Sequence, residues 1–195
     1  MQLNNLLLTI PLTLLVSACG AMTSYTSVDK IHSNVFYSNN VGVVILSTGA
    51  MKRCSFGATF TTYLVLYDSR NNRPFPNRAS VDHSNYKSDF ETHHGLVHAF
   101  VLEPGRYFFS PQHPEFRGDG TKESFDTFGF EVEGGETTYL GEFWLHKNCV
   151  SPNPYAIYDK YERDLAVAKT QNPYLAQREV VKRFMQLTGQ ITRED

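Results

Sequence analysis

The chain has 195 residues, of which 41% are hydrophobic and 19% charged, and a formal net charge of −2. That length suits one domain, or one domain with a helical appendage, and the composition is that of a globular rather than a disordered chain. The near-neutral charge, with lysines and arginines scattered in runs no longer than two, gives no global field that favours nucleic acid or an anionic membrane surface.

Residues 3–18, LNNLLLTIPLTLLVSA, carry no charge and many leucines. Asn4, Asn5 and Pro11 break the run and leave it short of the roughly 20 residues a membrane span needs. It reads as the apolar stretch of an export signal closing on the small residues Ser17 and Ala18. The four residues Val16-Ser17-Ala18-Cys19 resemble the lipobox of bacterial lipoproteins. The resemblance implies a signal peptide over 1–18, removed before Cys19, whose thiol takes palmitate-type acyl chains. Two or three chains are what a stable lipid anchor requires. Gly20 rather than aspartate follows, which in such systems implies the outer membrane, with the domain in the periplasm or on the cell surface.

Residues 19–40 are polar and rich in Ser, Thr and Asn, and predict a tether. A β domain is expected over 41–149. VGVVIL (41–46) and ATFTTYLVLYD (58–68) are strand-like, and residues 69–74 (SRNNRP) supply turn chemistry. GLVHAFVL (95–102), Glu103-Pro104-Gly105 and RYFFS (106–110) predict one antiparallel hairpin. Residues 128–145 predict another, with Gly134-Gly135 at its tip and Phe128, Phe130 and Val132 on one face. The loop between them, 111–124, is polar.

Cys54 and Cys149 remain once Cys19 is assigned to lipid, and an oxidising compartment admits a disulfide between them. It would close a loop of about 100 residues, for which chain entropy sets an upper figure of about 4–5 kcal/mol. Two free, partly buried thiols are the alternative. The segment 150–195 opens with the breaker SPNPY and then turns helical. Tyr158, Tyr161, Leu165 and Ala168 make one stripe. Asn172 and Pro173 predict the cap and first residue of a second helix, with Val180, Val181, Phe184 and Leu187 as its apolar face and Gly189 as its stop.

LEPGRYFF (102–109), FEVEGGETTYLGEF (130–143) and LVLYDSRNNRPF (64–75) resemble the turn-and-strand motifs of small prealbumin-like β-sandwich modules in an uncharacterised family of bacterial lipoproteins. The resemblance covers about residues 41–147 and implies a mainly β fold, an antiparallel sandwich with the helical segment appended. It implies no activity.

Each chemistry-bearing group in the chain also has an ordinary structural reading. His93, His94 and His98, with Asp82 and His83 upstream, are weak metal candidates. His94 and His98 share a strand face but stand about 13 Å apart by strand rise. Asp119, Glu123 and Asp126 crowd a loop without calcium-ligand spacing, diluted by Arg117 and Lys122. Glu162-Arg163-Asp164 reads as a solvated helix face. Tyr107, Phe108, Phe109 and Trp144 are weak candidates for a sugar or peptide platform, set against a core role. No serine-hydrolase elbow, phosphate loop or cofactor motif is present. The expectation is a non-enzymatic structural or adaptor protein, held at the membrane through Cys19, with an envelope protein partner and no nucleic acid or cofactor. The alternatives are a glycan- or peptide-binding module and, less favoured, a metal-dependent hydrolase.

Overall fold

β-Branched and aromatic residues set out in alternation build strands, and this chain folds mainly into strands. The computed structural model describes residues 25–51, 62–81, 88–112, 123–146 and 155–193. The predicted export signal, Cys19, Cys54, Asp82, His83, Arg117, Asp119, Lys122 and Cys149 lie outside the described residues.

In chain order the elements are β1 (Tyr25–Thr26), β2 (Gly42–Ala50), β3 (Tyr63–Asp68), β4 (Arg73–Ser80), β5 (Val97–Leu102), β6 (Gly105–Gln112), β7 (Glu123–Val132), β8 (Thr137–Leu145), β9 (Tyr155–Tyr158), α1 (Tyr161–Gln171), β10 (Val181–Lys182) and β11 (Gln186–Arg193). Short 3-10 turns occupy Val28–Lys30, Ser33–Tyr37 and Pro173–Gln177. The strands form two sheets. The first runs β1-β5-β2-β8-β10, with β9 also on β8, and the second runs β11-β7-β6-β3-β4.

One core lies between the sheets. Val44, Leu46, Phe100, Leu140 and Phe143 of the first sheet meet Leu64, Leu66, Phe109, Phe128 and Phe130 of the second. The alternation read on β7 holds, since Phe128, Phe130 and Val132 all enter this core. Phe109 packs against both Phe100 and Phe130, at centroid distances of 5.3 and 5.1 Å. A second core lies on the other side of the first sheet. There Val43, Ile45, Val97, Ala99 and Tyr139 are covered by Leu165 and Ala168 of α1 and by Val28, Ile31, Phe36 and Leu175. The run VGVVIL is therefore buried on both faces.

Four expectations need correction. Both predicted hairpins are crossovers instead: β5 and β6 belong to different sheets, as do β7 and β8. Their turn chemistry is present, with Gly135 at φ +78°, but the strands leave it to pair elsewhere. Consecutive strands do pair antiparallel elsewhere, at β3–β4, which turns through Asn72 at φ 52°, at β6–β7 and at β8–β9. The architecture is not purely antiparallel, because β2 and β10 both run parallel to β8.

The described part of the expected tether, residues 25–40, is packed rather than free. β1 pairs with β5, and Val28, Ile31 and Phe36 are buried. These apolar side chains meet a partner surface that composition does not reveal. Finally, the second helix is absent. Asn172 does cap a turn, accepting from the Tyr174 amide, but that turn is a single 3-10 segment. The chain then forms β11, which pairs antiparallel along β7. Ile191 and Thr192 of β11 are β-branched and suit a strand, and pairing along β7 gives the tail's backbone its hydrogen bonds, while Val181 lies in β10 beside β8.

Candidate functional site

The outer face of the first sheet gathers polar residues from distant parts of the chain. Register places Ser47 beside Glu142 and Gly49 beside Trp144 on neighbouring strands β2 and β8. Alternation then puts Glu142, Trp144 and His146 on one side of β8. From above, α1 brings Arg163 and Asp164. The 88–96 segment brings Phe90 and His93, held by a backbone bridge between His94 and Ala50. That approach is so close that a Cβ on Gly95 would collide with the Thr48 carbonyl oxygen.

Asp164 is wholly buried, although it belongs to the run read as a solvated helix face. Its Oδ2 accepts hydrogen bonds from the Ser47 hydroxyl and, at 2.6 Å, from the Tyr139 hydroxyl. Its Oδ1 accepts from Arg163 Nε at 2.8 Å. Arg163 Nη2 also donates to Glu142 Oε1 at 2.6 Å. The guanidinium stands over the Phe90 ring, 4.1 Å from its centroid, a cation–π placement. His93 stacks on Phe90 at 4.6 Å and holds Nε2 3.2 Å from Glu142 Oε1, near enough for an ion pair but not aligned for a hydrogen bond.

Electrostatics follow from this burial. Desolvation, then the hydrogen bond to the Asp164 carboxylate, pushes the Tyr139 phenol far above its ordinary range. Burial lowers the His93 imidazole, with the Glu142 carboxylate acting against it. For Arg163 burial opposes the charge, and the hydrogen bonds to Glu142 and Asp164 outweigh it to raise the group. The arrangement joins a helix to a sheet through two carboxylates and one arginine, with Ser47 and Tyr139 as donors. Its hydroxyls and carboxylates are aimed at one another.

Past the end of α1 the same face opens. Trp144 is partly exposed, and Tyr158 and His146 beside it reach solvent. The Tyr158 hydroxyl lies 3.0 Å from His146 Nε2.

The candidates named from sequence fare differently. His98 is buried on β5 with Nε2 3.1 Å from Thr48 Oγ1, while His94 is half-buried at its bridge to β2. Among the described residues no group of three histidines, cysteines or acids is arranged to hold a metal ion. Tyr107 is 3% exposed and donates its hydroxyl to the Glu103 carbonyl at 2.9 Å, and Phe109 is fully buried. Phe108 is buried too, stacked on Tyr67 at 4.9 Å. All three serve packing, whereas Trp144 does reach the surface. Asp126 is bound by Gln190 across the β7–β11 pair. Sequence reasoning missed Asp164 and Glu142. The available signal was that Asp164 falls within the apolar stripe of Tyr161, Leu165 and Ala168.

Comparison with known proteins finds no matching family model, no similar curated protein and no similar solved structure. No helix among the described residues is long and apolar enough to cross a membrane.

Proposed function

We propose that this chain is a lipid-anchored protein of the bacterial outer membrane, held through Cys19, with a prealbumin-like β-sandwich that serves as a non-enzymatic structural or adaptor module. The observation that carries the non-enzymatic reading is the closure of the Ser47–Asp164–Tyr139–Arg163–Glu142 network. Its polar groups are spent on fixing α1 to the first sheet, which leaves them in a scaffold role. The anchor rests on the Val16–Cys19 motif, and a partner would be another envelope protein. One consequence concerns reach. With pairing under way at Tyr25, the six residue steps from Cys19 allow a reach of at most about 22 Å, so an anchored domain stays close to the bilayer.

The test is the intact mass of protein purified from bacterial membranes, for the native chain and a Cys19→Ala variant. The expected result is an acylated chain starting at Cys19, and a variant that leaves the membrane fraction. An unmodified chain retaining residues 1–18 would overturn the anchor.

A second reading, a glycan- or peptide-binding module, is favoured by one observation: the aromatic group at Trp144, His146 and Tyr158 lies at the surface and outside both main cores.

A further inference from the structure

We propose that Trp144, with Tyr158, His146 and His93 around it, forms a saccharide-binding cup that takes one pyranose ring against the indole. The proposal deepens the binding-module reading and does not depend on the lipid anchor.

The cup is built by the strands on either side of β8. Trp144 pairs with Gly49 of β2 and with Ala156 of β9, so neither neighbour crowds the indole. At Gly49 the fit leaves no tolerance, since a Cβ there would overlap Trp144 Cε3 and Cζ3. The six-membered ring thus occupies the space of the missing side chain. Three other rings stand at an angle to it. His93 lies 5.1 Å away at 57°, Tyr158 6.4 Å away at 60° and His146 6.4 Å away at 66°. All three are tilted to the indole rather than stacked on it, with His93 on the buried side and Tyr158 and His146 on the exposed side. The Lys160 ammonium lies 5.9 Å from the Tyr158 ring centroid, at the rim.

This combination fits a sugar better than the alternatives. The axial C–H groups of a pyranose carry partial positive charge and are drawn to the negative face of an indole. Its hydroxyls need donors and acceptors at the edge, which the remaining lone pair of the Tyr158 oxygen and the second ring nitrogen of His146 offer beyond their mutual hydrogen bond. A cationic ligand is disfavoured, because the Glu142 carboxylate is already engaged by Arg163, and Lys160 repels at the rim. A purely apolar partner would strip water from the exposed Tyr158–His146 pair without replacing those contacts.

Trp144 is the chain's only tryptophan, so intrinsic tryptophan fluorescence reports from the cup alone. The experiment titrates the full chain, in a detergent without a sugar headgroup, with chitotriose as neutral probe and a glucuronate-containing oligosaccharide as acidic probe. A saturable change in emission is expected with at least one probe, and the pair distinguishes a neutral from an acidic sugar. Saturation-transfer NMR on Trp144→Ala and Tyr158→Ala, each checked for an unchanged far-UV spectrum, is expected to show binding weakened about tenfold or more. No saturable change with either sugar overturns the cup, as does binding undiminished in both variants. A change produced by an extended peptide and by neither sugar also overturns it. Sedimentation with isolated envelope polysaccharide separates the two levels. Co-sedimentation that survives Trp144→Ala keeps the binding module and sinks the cup, and no co-sedimentation of the native chain sinks both.

Discussion

Tyr139 and Trp144 both lie on β8, yet Tyr139 is wholly buried beneath α1 and Trp144 reaches solvent. The covered half holds Asp164, Ser47 and Tyr139 in mutual hydrogen bonds. The open half holds Trp144 with Tyr158, His146 and His93 tilted against it. Glu142 and His93 stand at the seam and touch both. The difference teaches that the chemistry available to a side chain here is set by what lies over the sheet, not by its place in the strand. Under α1, low dielectric makes each polar contact strong and each missing one costly. In the open half the same kinds of group stay within reach of a ligand.

The comparison breaks most readily at Asp164. Asp164→Ala leaves two hydroxyls and a guanidinium without their shared acceptor, and a loss of about 3–5 kcal/mol in urea denaturation is expected. A loss below about 1 kcal/mol would mean that water already supports the covered half. Gly49→Ala probes the open half through crowding. The added methyl meets the Trp144 ring, so a loss of about 1–3 kcal/mol is expected, with a red shift in tryptophan emission as the ring moves outward. An unshifted spectrum would place the indole elsewhere than on Gly49.

The seam responds to pH. Burial depresses His93 in the folded state below its unfolded value of about 6.5, so the unfolded chain binds the proton more readily. The stability His93 contributes is therefore complete above that value and declines as pH falls through it. Melting temperatures at about pH 7.5 and 5.0 should differ less in His93→Gln than in the native protein. An equal slope in both would remove His93 from the account. The smallest effect is expected at Lys182, whose 2.8 Å pair with Asp159 is exposed on both sides. Lys182→Ala should cost no more than about 0.5 kcal/mol by the same denaturation measurement.

Much of the local structure is legible before any coordinates. VGVVIL announces a buried strand, the alternation of β7 names its core residues, and Tyr161, Leu165 and Ala168 mark the inner side of α1, whereas Tyr158, read on the same stripe, lies exposed on β9. The turn residues at 103–105 and 134–135 are also legible as turns. Their destinations are not, because a Pro-Gly or Gly-Gly turn states how the chain reverses and not which strand it then pairs with. The same limit explains the tail. Asn172 and Pro173 do start a turn, but a free edge on β7 drew the following residues into β11.

The site was the least legible part. Glu162-Arg163-Asp164 looks solvated as a run of charge, and nothing adjacent in sequence reveals that Asp164 meets Ser47, which is 117 residues away. Trp144 is legible as a surface candidate, but its surroundings are not, since they arrive from β9 and from the 88–96 segment. By itself the sequence determined which segments favour strands, where the chain turns and which face of each strand is apolar, because those properties depend on a residue and its near neighbours. Only the tertiary structure decided which strands pair, what α1 covers and which aromatic stays open, because hydrogen bonds and burial depend on surfaces contributed by distant parts of the chain.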